Sequence, residues 1–116
     1  MYKIDASLMA NPAGVGAAAA ELEDAGYDGA YAFEGPHDPF MVLAAAAATT
    51  QRMQLMTAIA VAFARNPMNI AYLANDLQLI SGGRFILGLG TQVKAHIERR
   101  FNMPWSKPAA RMREMV

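Results

Sequence analysis

The sequence predicts a parallel α/β fold, and three observations carry that prediction. Apolar runs suited to buried strands alternate strictly with segments suited to helices. Pro12, Pro39, Pro67 and Pro108 stand where helices begin, behind Asn11, Asp38, Asn66 and Lys107. The stretch Ser81-Gly82-Gly83-Arg84-Phe85-Ile86-Leu87-Gly88-Leu89-Gly90 joins a helix end to a continuous apolar strand through a glycine pair. Such a helix stop, short connection and buried strand form the α-to-β junction of a parallel sheet.

Taken in order, the first strand is expected over Tyr2–Leu8 and the first helix over Gly14–Ala25, stopped by Gly26. A second strand over Gly29–Phe33 leads to a helix over Pro39–Thr50. Asp38 is a good N-cap there, and proline suits a first helical position, where its missing N–H costs nothing. The third strand is expected over Met53–Ala62 and the third helix over Pro67–Ile80. In that helix Ile70, Leu73, Leu77 and Ile80 recur at helical spacing, with Asn69, Asn75, Asp76 and Gln78 mostly elsewhere on the wheel. Phe85–Leu89 is the fourth strand, and its Gly-Leu-Gly-Thr ending offers two positions without side chains, where backbone can approach a ligand. A last helix begins near Pro108. The proline spacings of 27, 28 and 41 residues each fit one strand–helix unit, with an insertion in the last.

Composition sets the broad class. The 116 residues suffice for one small domain with limited capacity for burying a core. Ten Lys and Arg balance ten Asp and Glu, so no bulk charge points to nucleic acid or an anionic membrane. There is no cysteine, which removes disulfides and thiolate metal sites. No apolar run reaches a membrane span, and Lys3 and Asp5 interrupt the place where a signal peptide needs its apolar stretch. A cytoplasmic location is expected. Nine methionines supply adaptable apolar filler.

Two architectures satisfy the alternation: an open doubly wound sheet, or part of a (β/α)8 barrel. A dinucleotide-binding version of the first fails its own pattern. Val93 stands where the third glycine of Gly88-Leu89-Gly90 should follow, and only Glu114 lies near the expected acidic ribose contact.

The second architecture comes with a resemblance. Glu34-Gly35-Pro36-His37-Asp38-Pro39-Phe40, Thr57–Pro67 and Asp76–Thr91 together resemble the bacterial luciferase-like monooxygenase family. The tail from Gln92 to Trp105 resembles its branch that uses the deazaflavin coenzyme F-420. The resemblance implies an α/β fold of TIM type, of which this chain supplies the first four βα units. Residues 1–116 would be the N-terminal half of one barrel domain, with no separate second domain. Val116 falls inside a helix, which favours truncation, and an incomplete barrel implies pairing with a missing second half or with another copy. The implied activity is hydride transfer between coenzyme F-420 and a small organic substrate. The alternatives are an FMN-dependent monooxygenase of the same family, or a half-barrel without catalytic role.

In such a barrel the active site lies at the C-terminal ends of the strands. The polar candidates there are Asn11; Glu34, His37 and Asp38; Arg65 and Asn66; and the segment from Thr91 to Trp105. By its residue type alone, Asp38 reads as a helix cap and His37 as a solvated loop residue. The resemblance makes His37 the catalytic residue, hydrogen-bonding the reacting centre, and places Asp38 beside the coenzyme. It also implies a non-proline cis peptide at Ala58–Ile59, backing the coenzyme ring, with Gly90 and Thr91 contacting it after the fourth strand. Glu34, His37 and Asp38 are too crowded for a metal site, and no metal is expected. The family's sugar-phosphate dehydrogenases carry a glutamate shortly after Gly-Thr. Here Gln92 and Val93 follow, which argues against that activity and leaves His96 or Glu98 as substitutes. The basic and aromatic run Lys94, His96, Arg99, Arg100, Phe101, Trp105 and Lys107 is interleaved with Glu98 and reads as loop anchoring or as a partner for a polyanionic coenzyme tail. It does not read as a nucleic-acid surface.

Overall fold

The computed structural model describes residues 2–116. Its strands are β1 (Asp5–Ser7), β2 (Gly29–Ala32), β3 (Gln54–Thr57), β4 (Ala60–Val61), β5 (Phe85–Ile86) and β6 (Leu89–Gly90). Its α-helices are α1 (Val15–Asp24), α2 (Pro39–Ala47), α3 (Pro67–Ser81) and α4 (Pro108–Met115). A 3-10 turn covers Ala62–Ala64 and a π-helical turn covers His96–Arg100.

Strand order decides between the two architectures. The main sheet runs β1-β2-β3-β5, all parallel, and β4 pairs with β6, also parallel. Each new strand is therefore added on the same side of the last. With right-handed crossovers, that order puts every connecting helix on one face. Indeed α1 packs on α2 and α2 on α3 in a single layer. A doubly wound sheet would reverse direction and carry helices on both faces. The fold is the singly wound half of a (β/α)8 barrel.

The core lies between that helical layer and the sheet. Ala30, Ala32, Leu55 and Phe85 face Val15, Ala19, Phe40, Leu43, Ala46 and Leu77, all buried. The alanines of β2 and α2 allow close approach, and a fully buried side chain such as Leu43 contributes roughly 2 kcal/mol. Helix α1 also touches α2 closely, where the Thr49 hydroxyl donates to the Gly16 carbonyl at 2.7 Å. The opposite face of the sheet carries Ser7, Tyr31, Met56 and Ile86 in one register, none fully buried. In a closed barrel this would be the inward face.

Several expected boundaries move for local reasons. Pro12 does not open α1; the Asn11 side chain instead accepts from the Ala13 and Gly14 N–H groups, and the helix begins at Val15. Pro39 and Pro67 do sit at the first helical position, capped by Asp38 and Asn66. Lys107 precedes Pro108 with φ 39° and caps nothing. Helix α2 stops at Ala47, because Thr50 turns back to donate to the Ala46 carbonyl and accepts from Arg84. Ile80 is exposed, since at about 100° per residue it lies about 80° round the helix from Ile70. The third and fourth strands are each divided, at Ala58–Ile59 and at Leu87–Gly88.

Candidate functional site

The break in the third strand builds the first part of the site. Beyond Thr57 the Ala58–Ile59 peptide is cis, at the position the family resemblance implied. The interruption is hydrogen-bonded on both sides. Ala58 donates its N–H to the Ala32 carbonyl at 2.8 Å, and the Ile59 carbonyl accepts from Glu34 at 3.1 Å. On the other side Ala60 donates to Gly88 at 2.9 Å, while the Thr57 hydroxyl both donates to and accepts from the Gly88 backbone at 2.8 Å. Ile59 is left partly exposed as a step at the strand end.

The two glycines expected to admit a ligand have a different task. A Cβ at Gly88 would collide with the Thr57 carbonyl oxygen, and one at Gly90 with the Ile59 side chain. Their missing side chains make room for β3 and for Ile59, not directly for a ligand. Gly90 instead supports the step that Ile59 forms. Thr91 follows it, its hydroxyl donating to the Gln92 carbonyl at 3.0 Å.

A charged cluster clamps this break to the loop after β2. Glu34 and Arg65 form a bidentate pair at 2.6 and 3.2 Å, with side chains only 8% and 11% accessible. Glu34 also accepts from the Val61 N–H at 2.9 Å, and Arg65 donates to the Val61 carbonyl at 3.1 Å. The second guanidinium nitrogen reaches Asp38 at 3.0 Å. Burial works against the Arg65 charge, but the hydrogen bonds and charges of Glu34 and then Asp38 outweigh it, holding the guanidinium above its ordinary value. Asp38 uses both carboxylate oxygens internally: Oδ1 accepts from Phe40 and Met41, while Oδ2 takes Arg65. The capping reading of Asp38 therefore holds, and an ion pair is added to it.

His37 stands in the loop after β2, between Glu34 and Asp38 in the chain. It is exposed and lines a half-open cavity of about 150 Å3, together with Leu8, Met9, Ala10, Ala32, Phe33, Pro36 and Val42. The cavity lies at the C-terminal ends of β1 and β2, one strand from the Ile59 step. His96 and Glu98, the conjectured substitutes for an acid, are exposed on the π-helical turn and do not line it.

The long segment after β6 is anchored, with Arg100 and Trp105 of its basic and aromatic run taking part. Ile97 is fully buried with Val61, Ala62 and Phe63, and Trp105 meets Phe63 edge-on at 5.9 Å. Arg111 lies 4.2 Å from the centre of the Phe63 ring, and Arg100 donates to the Gly35 carbonyl. Among the described residues no helix is long and apolar enough to cross a membrane. Sequence reasoning singled out Glu34 and Arg65 as strand-end residues without joining them. Their opposite charges at the ends of adjacent strands were the available signal.

A singly wound parallel sheet with its polar clamp, histidine and apolar cavity all at the C-terminal strand ends has the architecture of the N-terminal part of a TIM-type barrel. Residues 3–116 match the model of the luciferase-like monooxygenase family, and the chain belongs to that family. It is 54% identical over 114 residues to the uncharacterised protein Rv1360 of Mycobacterium tuberculosis, covering 98% of this chain and 34% of that protein. It is 38% identical to Rv3520c of the same organism, to which coenzyme F-420-dependent oxidoreductase activity is ascribed by name, covering 84% of this chain and 28% of that one. Among solved structures it is similar to the coenzyme F-420-dependent tetrahydromethanopterin reductase of Methanopyrus kandleri. That likeness has TM-score 0.80 and 25% identity, over 98% of this chain and 37% of that one. The chain thus spans about a third of the length of the curated relatives it matches.

Proposed function

We propose that this chain supplies the coenzyme-facing half of a deazaflavin-dependent oxidoreductase that exchanges a hydride with a small organic substrate. The observation that carries this reading is the adjacency of the Ile59 step and the His37-lined cavity at one end of the parallel sheet. The relationship to Rv3520c and the likeness to the reductase of M. kandleri support a deazaflavin coenzyme.

The residues present fit a planar ring. Ile59, Ala58, Gly90 and Thr91 offer a small, largely apolar shelf, and the Ser7 hydroxyl is buried without a hydrogen-bond partner among the described residues. When bound, coenzyme F-420 would supply two-electron hydride chemistry. The residues of this chain would do the rest. Ile59 and Gly90 hold a flat surface against which the ring is oriented, and Thr91 offers a hydroxyl oxygen. His37 hydrogen-bonds the substrate oxygen and shares a proton with it as charge develops there. Asp38, Glu34 and Arg65 keep the His37 loop at a fixed distance from the shelf. Holding two reactants in register contributes much of the acceleration in such transfers.

The test is a titration of coenzyme F-420 into the whole protein that contains this chain, followed by its absorbance, with FMN as competitor. F-420 should bind in the micromolar range and FMN should not displace it at equal concentration. His37→Ala should lower kcat by roughly 10²–10⁴, as loss of a general acid–base group does, and leave coenzyme affinity within tenfold. Preferred binding of FMN would move the protein to the monooxygenase alternative. Full turnover by His37→Ala would remove the role given to that residue.

A further inference from the structure

The chain from Glu34 to Asp38 is an arch held at both feet. Arg65 takes the two carboxylates, and Glu34 also donates its N–H to the Ile59 carbonyl at 3.1 Å. The crown, Gly35-Pro36-His37, has no such footing. Pro36 has no N–H to give. Among the described residues, neither the Gly35 and His37 N–H groups nor the His37 ring makes a hydrogen bond. One hydrogen bond reaches the crown: Arg100, 65 positions further along, donates to the Gly35 carbonyl.

Arg100 comes to this contact from a segment with its own anchorage. It ends the π-helical turn His96–Arg100, whose Ile97 is fully buried with Val61 and Phe63. The Arg100 guanidinium stands 5.0 Å from the centre of the Phe101 ring, and Phe101 packs on the same cluster. The Met103 N–H closes the turn on the Ile97 carbonyl at 3.0 Å. Arg100 itself is exposed, so its hydrogen bond adds little to global stability. A short loop with both ends fixed, however, keeps few degrees of freedom, and one contact at its middle suffices to select a single arrangement.

We infer that Arg100 is a positioning residue, which ties the Gly35-Pro36-His37 crown, and so the direction in which His37 is presented, to the seating of Ile97 beside Val61 and Phe63. The inference rests on the role proposed for His37 and deepens it by naming what places that side chain. Arg65, after β4, sets the ends of the loop. Arg100, after β6, sets its middle. A reacting group gains from being fixed from two sides, because a displacement of about 1 Å can lower a rate about 10²-fold.

The test is nitrogen-15 relaxation of the whole protein, read at the Gly35 and His37 amides without coenzyme or substrate. In the unaltered protein both order parameters should be about 0.85, the rigid-backbone value. Arg100→Met keeps an apolar stem on Phe101 but donates nothing, and should lower both to below about 0.6. The His37 ring signals should shift with them, while the urea midpoint moves by less than about 0.5 M. A residue that only held the fold together would do the reverse. Arg100→Lys retains a charged donor and should recover part of the lost order. Arg99→Met removes the same charge one position away and should leave both amides rigid. Ile97→Ala unseats the turn and should loosen the crown as Arg100→Met does, with no further loss when the two are combined. If Ile97→Ala does not fold, the Arg99 and Arg100 variants decide alone.

Rigid Gly35 and His37 amides in Arg100→Met would overturn the inference. So would equal loosening by Arg99→Met. Because no coenzyme is present, failure here leaves the F-420 titration standing, and failure of that titration leaves the order parameters standing.

Discussion

Replacing Arg65 by alanine removes one partner of an ion pair whose side chains are 11% and 8% accessible. The Glu34 carboxylate would then keep a single hydrogen bond, from the Val61 N–H, and would stay mostly out of water. Breaking a buried pair in this way costs about 3–5 kcal/mol, much more than the pair contributes over an apolar replacement. The Asp38 contact adds little, because that carboxylate is 44% accessible and exposed pairs contribute about 0–1 kcal/mol. Loss of the guanidinium 5.1 Å from the centre of the Phe40 ring adds roughly 0.5–1 kcal/mol. A total near 5 kcal/mol, divided by a urea slope of about 2 kcal/mol/M, moves the unfolding midpoint down by about 2.5 M. The assay is urea denaturation of the whole protein, read by circular dichroism. Glu34→Gln and the double variant Glu34→Gln/Arg65→Met complete the set. The double variant should be more stable than Arg65→Ala, since it leaves no unpaired charge. A shift below about 0.5 M for Arg65→Ala, or additive effects of the two sites, would refute the view that the pair clamps the loop.

Gly90→Ala should damage the coenzyme shelf, because its Cβ would occupy the space of the Ile59 side chain. Coenzyme affinity should fall at least tenfold and return in Gly90→Ala/Ile59→Ala; no recovery in the double variant would show that the collision is not the cause. Glu23 makes a separate acid-sensitive latch, accepting from the backbone N–H groups of Gln51, Arg52 and Met53. Burial raises its pKa, but those three hydrogen bonds outweigh that effect, and the carboxyl lies below its ordinary value. A lowered folded pKa means the stabilisation is complete above about pH 4.3, the unfolded value, and is lost as pH falls through the folded one. Glu23→Gln should cost about 0.5–1 kcal/mol at pH 7, because two of the three bonds are solvent-exposed, and should flatten the acid limb of the stability profile. Parallel acid limbs for the two proteins would dismiss the latch.

Much of the architecture could be read from the chain because the signals were local. Asp38 and Asn66 cap helices through their own side chains, and Gly82 ends α3 in the left-handed conformation, φ 66°, that glycine adopts freely. The alternation of strand and helix follows from residues a few positions apart. So did the failure of the dinucleotide pattern at Val93. What the sequence could not show was how separate segments divide the work. Glycines 88 and 90 read as openings for a ligand, yet their neighbours in space are Thr57 and Ile59, some 31 positions earlier in each case. Asp38 read as a cap or a site residue, and tertiary contact with Arg65 made it part of an ion-pair clamp as well.

By itself, then, the sequence determined the element order, the helix starts at Pro39 and Pro67, the parallel class, and the two loops in which His37 and Thr91 stand. Only the tertiary structure decided the singly wound order β1-β2-β3-β5, the joining of Glu34 to Arg65, and the cavity that His37 lines. The physical reason is range. Capping, helical periodicity and glycine turns act within a few residues, so composition and spacing record them. Strand neighbours, buried charge pairs and cavities depend on which distant surfaces meet, and that is fixed only when the sheet and its layer of helices pack together.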